Sequence, residues 1–483
     1  MKKLLLFSFL VMGISNVSAQ GLTCATATAI TADGLYTSPA ITGTYVGTCA
    51  PNGNVANPNA MWWSYTATAD GEVTLNSDLF QATGNDDTRV SVFTGTCAAL
   101  VCYAGSDDVS GDNYLTTLTF PVQSGTTYYI QWDDRWSALG FDFDFLFAVV
   151  DCVMPNAAGV TQPTNITTTN GQLNWAVGIG NPASYDVEYG PVDFAQGTGT
   201  VVNSTTNSVT VSGAASTVVD YYLRNNCGAS QSVYVGPFSL YLAVTLPYSN
   251  DFDDENDLAA GFLASGWSLT TSTTLGHSGQ YFYFSNASTT AAVNHALYSR
   301  AIALQANEQV TVTFWTRLNN VAGSAQTLKV WFNNALTLTG ATQAGADISV
   351  SGNVYVQQTR TFTAPTAGTY YVIMNNASPA VTTNTNMFLD TVAITSVLAN
   401  DQFLASSFNV YPNPANNFVT ISNTTDALVN GAEIVDMNGR VVKSQKVANV
   451  SETQINVSDL ANGVYMMNIS TDRGSLTKKL VIE

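Results

Sequence analysis

The feature that most constrains this chain is a two-residue alternation of apolar and polar side chains, repeated in short runs from end to end. "GEVTLNS", "TRVSVFTG", "NSVTVSG", "QVTVTFWTR" and "GTYYVIM" all follow it, and Gly, Asn, Ser or Pro separates such runs. Successive strand side chains point to opposite faces, so each run buries one face and wets the other. Turn signals at intervals of about eight to twelve residues mark sandwiches and jelly rolls rather than crossover folds. No long stretch carries the 3.6-residue period of an amphipathic helix. The expectation is an all-β protein of several consecutive β-sandwich or jelly-roll domains, and 483 residues predict about three to four of them.

The first residues bound the compartment. Lys2 and Lys3 precede an apolar run from Leu4 to Ile14, and "VSA" ends at Ala19, which reads as a signal peptide over residues 1–19. That run is too short to span a bilayer, and no later stretch reaches about 18 uninterrupted apolar residues. Cys24 raises a lipoprotein alternative, but the "GLT" before it matches a lipobox poorly. The mature chain is therefore expected to pass the periplasm and work outside, at the cell surface or free, without spanning a membrane.

Charge narrows the partners. Residues 21–400 hold seven basic and 26 acidic side chains. Binding nucleic acid or anionic lipid needs Lys and Arg to displace counterions, so both are excluded as partners. The balance suits divalent cations, a basic partner or plain solubility.

All six cysteines, Cys24, Cys49, Cys97, Cys102, Cys152 and Cys227, fall in the first half. An even count in an exported chain implies disulfides, although six cysteines allow 15 pairings. No two stand at C-x-x-C spacing, which argues against zinc or a thioredoxin-like site. Pairing in chain order is the expectation: Cys24–Cys49, Cys97–Cys102 and Cys152–Cys227.

Four segments then separate. In residues 20–150, Trp63 and Tyr65 are followed by Phe93 with Gly95 and later by Tyr128 and Tyr129. That order resembles the pre-peptidase C-terminal β-sandwich of secreted bacterial proteins. Residues 151–245 resemble a fibronectin type III domain: Trp175 in "LNWAVG" stands on an early strand, and Tyr221 or Tyr222 on a late one. There Cys152 and Cys227 would clamp the two ends. Residues 246–398 run from "LPYSNDFDDEN" through "NHALYSRAIALQANEQVTVTFWTR" to "NMFLDTVAI". They resemble a MAM-related jelly roll of the choice-of-anchor J or cleaved-adhesin kind, with Ser299-Arg300 where relatives carry Ser-Pro.

A linker, 399–407, leads to residues 408–483, which hold "VYPNPA", "VDMNGRVV", "LANGVYMMNIS" and the terminal "KKLVIE". This order resembles the type A C-terminal sorting domain of the type IX secretion system. The resemblance gives Pro412, Asn413, Pro414, Gly439, Gly463, Lys478 and Lys479 the role of an export signal. It also implies that the secretion machinery is a partner. Pro412 and Pro414 lack N–H groups, so they end the linker and set the entry to the strand beginning at Phe418.

Catalytic residues are not expected. The chain has two histidines, His277 and His295, and neither an H-E-x-x-H, a G-x-S-x-G nor a Walker A pattern. "GHSGQ" has the wrong spacing for a nucleophile elbow, and Ser278 beside His277 reads as a turn. No stretch of about 200 residues remains to house a catalytic domain, so an enzyme is not expected.

Acidic clusters are the stronger candidates. "NDFDDEND" is not an EF-hand, because Asn256 stands where Gly is needed and Phe262 where the bidentate Glu should be. On a strand, Asp251 and Asp253 would share a face, and "FLDTVAI" would bring Asp390 beside them. Three carboxylates without a basic partner repel unless a hard cation neutralises them, so structural Ca²⁺ is the expected cofactor there. The adhesin-like resemblance implies a calcium in a comparable place, and a solvated acidic loop is the plain alternative. "GNDDTR" (Asp86, Asp87) and "GSDDVSGD" (Asp107, Asp108, Asp112) are expected at one sandwich rim, with Asx-turns as their plain role. In "QWDDRW", Trp132 and Trp136 are candidates to stack on sugar rings while Asp133 and Asp134 accept hydroxyl hydrogen bonds. A buried core role for such tryptophans is the alternative. The function expected is a secreted or cell-surface, non-catalytic modular protein that binds a glycan or protein partner. An accessory or structural component, a stalk or matrix part of a secreted hydrolytic system, is the alternative.

Overall fold

A computed structural model describes residues 21–50, 58–79, 87–253, 261–320, 324–383, 385–397, 407–424, 427–437 and 439–483. The signal peptide, all of the linker but Ser407, and Asp86 of the first acidic run lie outside the described residues. So do Asp254, Glu255 and Asp257 of the "NDFDDEND" run. Strands make nearly all of the regular structure, arranged as four consecutive pairs of sheets. Two compact units divide the chain: Met1–Ala214 with Val218–Leu240, and Ala215–Thr217 with Tyr241–Glu483.

In the first unit, a six-stranded sheet runs Asn59–Thr66, Thr127–Asp133, Arg89–Thr96, Ala99–Ser106, with the short Thr28–Ala29 and Gly43–Thr44 beside the first of these. It faces a four-stranded sheet of Gly34–Ser38, Phe141–Ala148, Gly71–Asn76 and Thr117–Val122. The alternation explains the interior. In "FDFDFLFA", Phe141, Phe143 and Phe145 point inward while Asp142 and Asp144 are exposed. Trp63 meets Phe143 edge-on with ring centroids 5.2 Å apart, and Tyr65 meets Phe145 at 4.8 Å.

All six cysteines are bridged, but two of the three pairs differ from chain order: Cys24–Cys97 and Cys49–Cys102 replace Cys24–Cys49 and Cys97–Cys102. The cause is the hairpin that holds the later two. Thr96 pairs with Ala99, so Cys97 sits in the turn and Cys102 stands three residues up the strand, opposite Phe93. At about 3.3 Å per residue that offset is near 10 Å, beyond the roughly 7 Å that a disulfide tolerates between Cα atoms. Cys24 instead packs with Trp62 and Phe93 on the far side of the six-stranded sheet. The bridges close loops with separations of 73 and 53 residues. On the chain-entropy account each loop contributes about 4 kcal/mol, less in sum because the loops overlap.

The second sheet pair joins a three-stranded sheet (Val160–Thr164, Asn170–Trp175, Ser208–Ser212) to a four-stranded one (Thr200–Ser204, Ser184–Pro191, Val218–Asn226, Val235–Tyr241). Trp175 packs against Tyr185 across it, 5.3 Å apart. Tyr221, not Tyr222, is the late-strand tyrosine that points into the core. Cys152–Cys227 forms as expected.

In the second unit, a six-stranded sheet runs Trp267–Thr271, Tyr281–Asn286, Asn386–Val397, Gln309–Leu318, Val356–Thr363, and Tyr248–Asn250 also pairs with Asn386–Val397. Its inward residues, among them Val310, Val312, Phe314, Leu389 and Ile394, meet those of a seven-stranded sheet, including Val330, Phe332, Val372 and Met374. Arg300, which replaces the proline of the resembling family, is buried. It donates Nε to the Leu242 carbonyl and Nη2 to the carbonyls of Ser216 and Thr217. Proline has no side-chain donor for these bonds.

The tail pairs Phe408–Tyr411, Phe418–Asn423 and Glu452–Asn456 with a sheet of Val441–Val450, Val429–Val435, Gly463–Thr471 and Gly474–Ile482. The first strand stops at Tyr411, immediately before Pro412. Asn413 then clasps the last strand: its Nδ2 donates to Lys479 O at 2.8 Å, and its Oδ1 accepts from Val481 N at 2.9 Å. Ala415 N donates to Val481 O, and Glu483 N donates to Ala415 O. Gly439 has a φ of 79° in the turn between strands, where L residues are strained. Lys478 and Lys479 lie on the last strand.

Candidate functional site

The carboxylates singled out in the jelly roll all turn to one loop, not from a strand face, but their oxygens do not lie together within 4.8 Å of one another. The first strand ends at Asn250, and Phe252 takes a φ of 68° with its ring fully buried, so Asp251 and Asp253 sit in a turn. Asn250 opposite Val392 brings this turn to Asp390 on the last strand. All three side chains grip one loop, Gly276–Gln280. Asp390 Oδ2 accepts from the backbone N–H of His277 at 2.6 Å and of Ser278 at 3.3 Å. Asp251 Oδ2 accepts from Ser278 Oγ at 3.5 Å. Asp253 Oδ1 accepts from Gln280 N at 2.6 Å and Tyr281 N at 2.9 Å. Asp390 is fully buried, and burial raises its carboxyl above the usual carboxylate range while the loop amides pull it back. Asp253 Oδ2 is buried and has no hydrogen-bond partner. A Cβ on Gly279 would fall 1.7 Å from that oxygen, so only glycine lets the loop approach it.

The same loop carries an aromatic cluster on the outer face of the six-stranded sheet. The alternation that sends Val312 and Phe314 inward sends Trp315 outward. His277 stacks on Trp315, centroids 4.1 Å apart and planes 18° off parallel, and Tyr355 meets His277 edge-on at 5.3 Å. His277 Nδ1 lies 3.1 Å from Thr391 Oγ1. Beneath, Arg317 is sandwiched over the rings of Tyr355 and Phe388 at 5.0 and 4.8 Å. Its Nη1 donates to Asn353 O and its Nη2 to Leu275 O, tying two loops together. Burial pushes the Tyr355 hydroxyl up to about 12, with Arg317 opposing.

Ser278 and His277 do not form a nucleophile–base pair. The serine hydroxyl donates to Asp251, and the imidazole faces Thr391. His295 is structural: burial lowers its pKa, its ring contacts Ser285 Oγ at 2.9 Å, and its carbonyl accepts from Trp267 Nε1.

The "QWDDRW" candidates separate into core and surface. Trp132 is fully buried among Phe141 and Phe143, so its ring offers no face to a sugar. Asp133 is buried too, in an ion pair with Arg89 at 2.9 Å. Both are corrected from ligand contacts to buried residues: Trp132 points into the core with Tyr128 and Ile130, whereas Asp133, on the opposite face of the strand, is buried against its register partner Arg89. Asp134 is spent on Asn59, accepting from its N at 2.5 Å and Nδ2 at 2.7 Å. Trp136 is 58% exposed, with the Arg135 guanidinium over one face at 4.5 Å.

At the rim of the same sandwich, Asp87, Asp107 and Asp108 bring one carboxylate oxygen each within 4.8 Å of one another, the one such acidic group among the described residues. Burial, then Asp108 and Asp107, raise the Asp87 pKa to about 6. The two acidic runs thus meet at one rim, as their hairpin positions predict. Sequence reasoning passed over Trp315, Tyr355 and Arg317. The strand phase of "QVTVTFWTR" was the available signal for Trp315, and no local signal marks Tyr355.

Residues 409–483 match the family described as secretion system C-terminal sorting domain. No curated protein matches the chain. Among solved structures, the K1 cleaved adhesin domain of Lys-gingipain from Porphyromonas gingivalis W83 is similar at 18% identity, over 31% of this chain and 96% of that one, with a TM-score of 0.25. The CBM22-1 xylan-binding domain of Xyn10C from Paenibacillus barcinonensis is similar at 15% identity, over 32% and 99%, with a TM-score of 0.25. The chain thus ends in a secretion sorting domain. Among the described residues, no helix is long and apolar enough to cross a membrane.

Proposed function

We propose that the chain is cargo of the type IX secretion system, delivered outside the cell as a modular, non-catalytic protein that adheres to a glycan or protein partner. The observation that carries the export half is the match of residues 409–483 to the sorting-domain family, in which the "PNP" asparagine is clasped to the terminal strand. The adhesion half is supported by the aromatic cluster on the outer face of the jelly roll, in which the exposed His277 stacks on the half-buried Trp315 beside Tyr355. Within this reading, residues 20–150 are a pre-peptidase C-terminal-like sandwich. Residues 151–245 are fibronectin type III-like, which their three-plus-four sheet order supports. Residues 246–398 are a MAM-like, cleaved-adhesin-like jelly roll. The test is removal of residues 405–483 in the native host: the truncated chain should fold and accumulate in the periplasm. Its normal appearance outside the cell would overturn the reading.

Asp251, Asp253 and Asp390 are further proposed to hold a structural Ca²⁺. The donors are all oxygens, which a hard cation prefers, and the orphaned Asp253 Oδ2 is a buried acceptor with nothing to accept from. The three carboxylates stand farther apart than a shared ion allows, so binding would draw them together. The ion would neutralise the mutual repulsion of the three acids and fix the Gly276–Gln280 loop. Calorimetric titration of the chelated mature chain should release heat and raise its melting temperature, and Asp253→Asn should abolish both. Neither change in the unmodified chain would refute the ion.

A further inference from the structure

The outer face of the jelly roll's six-stranded sheet holds a construction that stability alone does not require. Asp390 and Arg317 are both more than nine-tenths buried, yet neither bonds an opposite charge in the contacts described above. Each fixes a loop: Asp390 accepts from the 277–278 amides and from the Thr391 hydroxyl, and Arg317 donates to the carbonyls of Leu275 and Asn353. Burying a charge is costly. Here the cost goes into holding three aromatic rings in one arrangement.

Backbone irregularity converges on the same point. Thr313 pairs with Ala393 but Trp315 with Asp390, so the last strand carries an extra residue there, and Thr391 beside it has a φ of 50°. Such a bulge re-aims side chains and is over-represented next to functional sites. In this case it turns Asp390 onto the loop and places the Thr391 hydroxyl against the His277 ring.

We propose that His277, Trp315 and Tyr355 form a binding subsite for a neutral saccharide unit. This rests on the glycan-binding reading given above and names its site. An aromatic surface takes the C–H face of a pyranose, and hydroxyl and amide groups beside it satisfy the sugar's hydroxyls. On the sheet beside the rings the outward positions are uncharged, with Gln357 opposite Trp315 and Thr359 opposite Thr313, and the loop's exposed charged contact is the acidic Asp251 on Ser278. Such a border offers a polyanion no exposed positive charge, and the chain's net charge of −19 repels one. Arg317 and Asp390 are positioning residues, since they set the loops and do not reach the exposed surface.

The test is affinity electrophoresis of the full mature chain through native gels cast with xylan, β-1,4-galactan, mixed-linkage β-glucan or α-mannan, and with alginate or hyaluronan as polyanions. At least one neutral polymer should retard the chain. Trp315→Ala should weaken that retardation at least tenfold and His277→Ala at least threefold, with melting temperatures held. If Trp315→Ala fails to fold, His277→Ala decides, because the histidine is exposed on a loop. Equal retardation of both variants would overturn the subsite and leave glycan binding standing. Retardation by polyanions alone would overturn the neutral-sugar assignment and also leave glycan binding standing. No retardation by any polymer would overturn the subsite and the glycan reading together, leaving a protein partner.

Discussion

Two tryptophans with an aspartate close by meet opposite fates in this chain. Trp132 precedes Asp133 on a central strand of the first sandwich, and both are buried. Trp315 pairs with Asp390 across two central strands of the jelly roll, and its ring faces outward beneath His277. Strand phase accounts for the difference. Trp132 keeps step with Tyr128 and Ile130, which point to the core. Trp315 is out of step with Val310, Val312 and Phe314, which do. The aspartates follow suit. Asp133 meets a buried arginine, whereas Asp390 is turned by a bulge onto backbone amides at the foot of an exposed site. Similar composition thus yields a core in one domain and a surface in the other.

The contrast is sharpest in stability. Arg89→Ala leaves Asp133 buried without its cation, and breaking one side of a buried ion pair costs about 3–5 kcal/mol. Arg89→Met with Asp133→Leu should recover most of that loss, since isosteric apolar pairs often replace buried ion pairs without penalty. Thermal and urea unfolding of the two variants checks this. A single variant as stable as the parent would show that the pair is not what holds the rim of the first sandwich.

The tryptophans should divide in the same way. Trp132→Ala empties a fully buried ring site and should cost about 3–5 kcal/mol. Trp315→Ala removes a half-buried ring from the surface and should cost about 1 kcal/mol or less. Equal losses in denaturant midpoint would mean that the two rings carry the same share of their domains' stability. Asp390→Ala should fall between them, at about 1–3 kcal/mol, because it strands the His277 and Ser278 amides.

Much of this was written in the alternation. Period two established the all-β class, and it already set Tyr128, Ile130 and Trp132 on one side and Trp315 opposite Phe314. What it does not carry is where the chain departs from period two. The turn at Cys97 separates that cysteine from Cys102 and reroutes two disulfides. The extra residue at Thr391 and the fold-back of Gly276–Gln280 gather carboxylates and rings that lie over a hundred positions apart. Local composition is blind to such long-range meetings. The tail motifs are the opposite case: "YPNPA" and "KKLVIE" were legible as separate signals, and the Asn413 clasp shows them to be one physical feature.

The smallest expected effect concerns a third group of acids, at the rim of the first sandwich. Asp87 is raised to about 6, chiefly by burial and then by Asp108 and Asp107. A carboxyl whose folded pKa lies above its unfolded value binds more protons in the native state, so its charge opposes folding once it ionises. Asp87's contribution to stability should therefore be lost as pH rises from about 4 to about 6, the reverse of a salt-bridged carboxylate such as Asp459, which Lys443 holds low. Asp87→Asn should flatten that slope and raise the melting temperature slightly at pH 7. Melting curves in chelator between pH 4 and 7, run on both proteins, give the sign directly. An unchanged slope in Asp87→Asn would mean that the three acids at this rim do not sense one another, and that each is solvated separately.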